Sequence, residues 1–160
     1  MTYIGTLVVI IAVFMAWRGY CRYLCDELKD TRAFLYAVED YRESMRCYLC
    51  TPADWARKYS DDRLAASGFL KKVADGADLL TAYRESRGSY CLSDKTDESL
   101  ESCFCDFGGG DLTAELANLD TALAKIKSEE QSLTDGFGNR KKVAGALLGA
   151  CAVGIVILVI

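Results

Sequence analysis

The chain has 160 residues, 51% of them hydrophobic, with 19 basic and 23 acidic side chains and a net charge of −4. That length suggests one domain, and the mild acidity, with no basic stripe of interleaved aromatics, argues against a nucleic-acid role. The chain has no histidine, which removes the commonest general base and metal ligand. The charge is also segregated. The first charged side chain is Arg18 and the last is Lys142, so two apolar ends flank a middle that carries all 42 charges.

Thr2 to Trp17 is an uncharged run that includes Ile4, Leu7, Val8, Val9, Ile10, Ile11, Val13 and Phe14. Counted on to Tyr20 it is long enough to span a bilayer, with Tyr3, Trp17 and Tyr20 placing aromatic rings near its two ends. A cleaved signal peptide would carry a basic start and a small-residue cleavage site. Met1-Thr2-Tyr3 and Trp17-Arg18-Gly19-Tyr20 supply neither, so residues 1–20 read as a retained transmembrane helix.

From Leu24 the apolar spacing becomes helical and amphipathic. Leu24, Leu28, Thr31, Leu35, Val38, Arg42, Met45 and Leu49 recur at alternating steps of four and three, one face of a helix, with Phe34, Ala37 and Tyr41 widening it. No breaker separates this stripe from the first span, so one long rod is an open reading. The stripe reads as packing into its own domain rather than as an intermolecular coiled coil. Thr51-Pro52-Ala53-Asp54 then starts a short helix with Trp55 and Tyr59. Ser60-Asp61-Asp62 opens another, with Leu64, Phe69, Leu70 and Val73 inward, and Asp75-Gly76 ends it. Asp78 opens a segment with Leu79, Leu80 and Tyr83. Ser86 to Thr96 reads as the main loop, and Ser93 or Thr96 caps a helix with Leu100, Phe104 and Phe107 on its inner face. Gly108-Gly109-Gly110 breaks the chain before Asp111 caps the last helix.

That last helix repeats the first pattern through Leu112, Leu116, Leu119, Leu123, Ile126, Glu130 and Leu133. The two striped helices are expected to pack antiparallel, with the short helices filling the remainder. Thr134 to Asn139, with Gly136 and Gly138, reads as a flexible hinge. Val143 to Ile160 is an uninterrupted apolar run of 18 residues, about 27 Å as a helix against a hydrocarbon core of about 30 Å. Arg140, Lys141 and Lys142 stand just before it, where their charged heads reach the interface. Residues 140–160 therefore read as a second span, with the chain ending in or at the far face of the membrane. The expected fold is all-α: a cytoplasmic helical domain over 21–139 between the transmembrane helices 1–20 and 140–160. Arg18, Arg22, Lys29, Arg32 and Arg140 to Lys142 all lie on the middle segment, so the positive-inside bias places that segment in the cytoplasm.

Reducing surroundings argue against reading the eight cysteines as disulfides. Cys47-x-x-Cys50 with Cys103-x-Cys105 are candidate zinc thiolates, and Cys47-x-x-Cys50 ahead of a helix start is a candidate redox pair. On a helix, Cys103 and Cys105 diverge by about 200°, and no strand supports a thioredoxin-like context. Filler in a helical core is the plainer reading of these cysteines. Gly108-Gly109-Gly110-Asp111 lacks the lysine of a phosphate loop and follows a helix, so it reads as a corner. Gly145-x-x-x-Gly149, continued by Ala146, Ala150 and Gly154, forms a small-residue face. Such a face lets helices approach closely, either with Gly5, Ala12 and Ala16 of the first span or with a second copy of the chain in a homo-oligomer. Carboxylates are scattered over solvated faces, no nucleophile has an evident base, and no enzyme or cofactor is expected.

The order of these features resembles the stage III sporulation protein AB family. Met45 to Thr51-Pro52 is similar to that family's helix ending in a Thr-Pro-Leu turn, with Ala53 in place of the leucine. Phe69-Leu70, Leu79 and Ala82-Tyr83 resemble its Phe, Leu and Ala-Trp stretch, with tyrosine for tryptophan. Phe107-Gly108-Gly109-Gly110-Asp111 and Glu115 resemble its Leu-Gly-x-x-Asp and Gln turn, with phenylalanine and glutamate as departures. The resemblance covers nearly the whole chain. It implies a non-enzymatic platform in the sporulation channel between mother cell and forespore, similar to the inner-membrane platform of type II secretion and type IV pilus systems. It also implies a cytosolic secretion-type ATPase and other channel membrane proteins as partners, with the central domain on the mother-cell side. The alternative from the residues alone is a membrane-tethered thiol-redox or zinc-binding protein.

Overall fold

A computed structural model describes residues 2–105, 107 and 111–159, and within them the side chains of 5, 7–105, 107 and 111–154. The described residues are helical throughout and contain no strand: α1 (Thr2–Tyr48), α2 (Pro52–Lys58), α3 (Asp62–Ala66), α4 (Phe69–Ala74), α5 (Leu79–Ser86), α6 (Asp94–Cys105) and α7 (Leu112–Val159). Arg87–Ser89 adds one 3₁₀ turn inside the expected loop. The chain divides into two compact units, one of residues 1–25 and 132–160 and the other of 26–131.

In the first unit α1 carries large apolar side chains that face outward, among them Leu7 (60% exposed) and Phe14 (62%). Among the described residues one helix, over Leu7–Tyr48, is long and apolar enough to cross a membrane. Residues 140–159, read above as a second span, are helical at the end of α7, whose side chains are described up to residue 154.

The second unit is built on the expected stripes. Ala33, Phe34, Ala37, Val38, Tyr41 and Met45 of α1 are buried, as are Leu119, Ala122 and Ile126 of α7. The two helices run antiparallel here. Arg32 Nε donates to Glu130 Oε1 at 2.6 Å, and Arg42 Nε lies 2.5 Å from Asp120 Oδ1, ten residues later on α1 and ten earlier on α7. Arg42 breaks the apolar stripe yet keeps its place on that face by this ion pair.

The short helices are set by local signals. Thr51 caps α2 by accepting from Asp54 N–H at 3.2 Å. Asp61 Oδ1 caps α3 by accepting from the N–H groups of Arg63 and Leu64, both at 2.9 Å. Asp78 caps α5, Ser93 caps α6, and Asp111 caps α7 through Ala114 N–H at 2.8 Å. Each satisfies a backbone donor that a helix start leaves unpaired.

Four features differ from the sequence reading. Phe107, expected on the inner face of the helix with Leu100 and Phe104, lies in a turn beyond the end of α6 at Cys105. The helix expected over 62–74 is two, because Gly68 adopts φ +80° between α3 and α4. The stripe's last member, Leu49, lies outside α1 at φ +50° and is 71% exposed. Its N–H still bonds Met45 O at 3.1 Å, so it closes the helix in the left-handed position that glycine usually fills. Pro52, which lacks an N–H, forces a stop nearby. Residues 134–139, expected as a hinge, are helical within α7. A glycine weakens a helix by only about 0.5–1 kcal/mol, which a helix this long absorbs.

An aromatic cluster joins these elements. The fully buried Phe34 ring meets Phe69, Tyr83 and Tyr90 edge-on, at centroid distances of 5.7, 5.5 and 4.8 Å. Phe104 reaches Tyr83 at 5.5 Å, and in a second group Trp55 stacks on Tyr59 and meets Tyr41 at a tilt. Trp55 Nε1–H donates to Asp40 Oδ2 at 2.8 Å, so the indole is buried without losing its hydrogen bond.

Phe34→Ala is expected to destabilise the full-length protein by about 3–5 kcal/mol, measured by chemical denaturation in detergent. The tyrosines also make the fold alkali-sensitive. Burial raises the phenol of Tyr41, raises that of Tyr83 with help from its bond to Asp97, and pushes Tyr59 up to about 12. A raised phenol favours the neutral folded form, so its contribution is intact below the ordinary value of 10.0 and drains away as pH climbs towards the folded value. Helicity followed by circular dichroism should therefore fall between pH 10 and 12. Tyr83→Phe should move that alkaline midpoint upward while costing about 1.5 kcal/mol at neutral pH.

Candidate functional site

The cysteines singled out by the sequence do not converge. Cys47 is exposed at the end of α1, Cys50 is half-buried after it, Cys103 is buried on α6, and Cys105 is exposed at the last position of α6. Among the described residues no three or more Cys, Asp or Glu side chains stand together as a metal-holding group. The Cys47 thiol donates to Glu43 Oε1 at 3.3 Å, and this bond to a carboxylate holds the thiol protonated, above its ordinary value. A nucleophilic or redox cysteine needs the opposite shift. The Gly108-Gly109-Gly110 corner lies outside the described residues.

Two buried carboxylates were not singled out in the sequence. Glu27 and Asp30 lie on the inner face of α1, 5% and 4% exposed. Asp30 uses both oxygens: Oδ1 accepts from Arg63 Nη1, and Oδ2 accepts from the Cys91 N–H at 2.9 Å. Arg63 also donates to Asp26 Oδ1 at 2.8 Å. The guanidinium thus lies between two acids of α1 and neutralises a carboxylate that burial alone would disfavour. The sequence signal was available, since 24, 27 and 31 follow the helical spacing of the buried face. A second network, Tyr83 and Arg87 on Asp97, ties α5 and its following turn to α6. Both networks tie helices together through charged hydrogen bonds, as struts do.

Inside the second unit's core a gap of about 10 Å³ lies among apolar side chains that include Phe34, Trp55 and Phe104. It is smaller than any ligand and offers no polar partner.

In the first unit the small-residue face behaves unevenly. A Cβ on Gly145 would stand 3.1 Å from the Trp17 ring, so α1 and α7 approach there because glycine leaves room. At Gly149 and Gly154 a Cβ would meet nothing within 4 Å. A groove of about 350 Å³ runs beside this contact, lined by Ile10, Val13, Phe14 and Leu148 among others. A second, of about 520 Å³, mixes apolar side chains with Tyr20, Asn139 and Arg140. Neither groove was foreseen from the sequence, where Tyr20 and Arg140 stand far apart.

No family model matches this chain, and no curated protein or solved structure matches it.

The glycines separate by substitution. Gly145→Leu is expected to weaken packing of the first unit by about 1–3 kcal/mol, read as a lower unfolding midpoint in a denaturing-detergent titration of the full chain. Gly149→Ala, which meets open space, should stay within about 0.5 kcal/mol of the parent.

Proposed function

We propose that this chain is a non-enzymatic membrane protein that holds its helical body against the cytoplasmic face as a platform for a secretion-type ATPase. In this reading residues 1–20 and 140–160 both span the bilayer, and residues 21–139 face the cytoplasm. The observation that carries it is the outward-facing apolar surface of the first unit. Leu7, Val8, Ile10, Phe14 and Met15 on α1, and Leu147 and Val153 on α7, are all at least half exposed. Apolar surface on that scale belongs in lipid or against a partner. The orientation is supported by Arg18, Arg22 and Arg140 to Lys142, which all flank the body side of the apolar segments.

The partner and process rest on the resemblance to the stage III sporulation protein AB family. That resemblance names a channel between mother cell and forespore, with the body on the mother-cell side. The struts around Asp30 and Asp97 suit a platform, because they hold short helices rigidly without supplying chemistry.

Two measurements test the proposal. An alkaline phosphatase fusion at the exposed Gly88 should stay inactive while a green fluorescent fusion at the same site is bright. Affinity capture of the full chain from its own membranes should recover a secretion-type ATPase. Phosphatase activity at Gly88, release of the chain by a carbonate wash, or capture without the ATPase when that enzyme is present would each overturn it.

A further inference from the structure

The first unit holds five basic residues, Arg18, Arg22, Arg140, Lys141 and Lys142, against one acidic residue, Asp135. All five basic side chains are exposed. None of them pairs with a carboxylate among the described residues. One of the five, Arg140, lines the groove of about 520 Å³ with Asn139 and Tyr20. The same groove continues over Ala144, Leu147 and Leu148. At about 1.5 Å per residue these apolar side chains begin about 6 Å beyond Arg140 and extend to about 12 Å. The groove is therefore cationic and rich in hydrogen-bond donors at one end and hydrocarbon-like along the rest.

We propose that this groove binds one anionic phospholipid. The phosphodiester oxygens accept from the Arg140 guanidinium, the Asn139 amide and the Tyr20 hydroxyl, and an acyl chain lies along Ala144, Leu147 and Leu148. The charge requires an anion, and a planar guanidinium matches phosphate oxygens two at a time. The apolar floor starting one turn later requires a tail, which free phosphate lacks. A basic recess between helices at the cytoplasmic interface is where such headgroups gather. The proposal rests on the two-anchor reading, which sets Val143 onwards at acyl depth.

The test is native mass spectrometry of the full-length chain in detergent, with phosphatidylglycerol or phosphatidylcholine of identical acyl chains added. Phosphatidylglycerol should be retained about five-fold better, the worth of one basic side chain at an anionic interface. Arg140→Gln should erase that preference, while Lys141→Gln, which removes an equal charge outside the groove, should preserve it. Leu147→Trp, which fills the floor, should lower retention of both lipids. Equal retention of the two lipids, equal damage from Arg140→Gln and Lys141→Gln, or displacement of the lipid by inorganic phosphate would overturn the proposal. A parallel carbonate wash separates the two readings. A chain that stays with the membrane but shows no lipid preference sinks the lipid site alone, and a chain that washes off sinks both.

Discussion

Burial of Phe34 is the constraint on which the helical body depends. The helices between α1 and α7 run from five residues in α3 to twelve in α6. Isolated helices that short are marginal in water, because nucleation costs more than a few hydrogen bonds return. They persist here because each buries a side chain in the shared core, Trp55 from α2 and Leu64 from α3 among them, and because three of them and a connecting segment deliver rings to one aromatic cluster. Phe69 comes from α4, Tyr83 from α5, Phe104 from α6 and Tyr90 from the segment between them. Phe34 is the ring that three of these four touch, and it stands on α1, a helix long enough to hold its own geometry.

Much of this was legible in the sequence, and the reasons are local. The caps at Thr51, Asp61, Asp78, Ser93 and Asp111 could be read because one side-chain oxygen answers a backbone donor two or three residues on. The two stripes could be read because burial on one helix face imposes its own period. What escaped was decided by tertiary demand. The break at Gly68 was hidden because the apolar run from Leu64 to Val73 looked continuous, yet Leu64 and Phe69, five residues apart, would point about 140° apart on one helix, and the left-handed turn at Gly68 lets both be buried. The hinge assigned to Gly136 and Gly138 overestimated what two glycines do to a helix of 48 residues. The stripe also ran one residue too far at Leu49, where an αL position counted for more than the apolar period.

The candidate sites were less legible than the fold, because each joins residues distant in sequence. The cysteine spacings suggested shared chemistry, yet burial separates them, with Cys103 in the core and Cys47 and Cys105 in solvent. The groove at Tyr20 and Arg140 could not be read from either run alone. Its polar end comes from two segments, and neither shows an unusual composition beyond a cluster of positive charge. The acids that folding brings together around Arg63, Asp26 and Asp30, are spent on holding it.

The bond from the Cys91 N–H to Asp30 closes a loop 61 residues long. Every short helix from α2 to α5 lies inside that loop. Closing a loop of this length costs entropy once, and the cost grows only slowly with the number of residues enclosed. The enclosed helices therefore share one closure rather than each bearing its own.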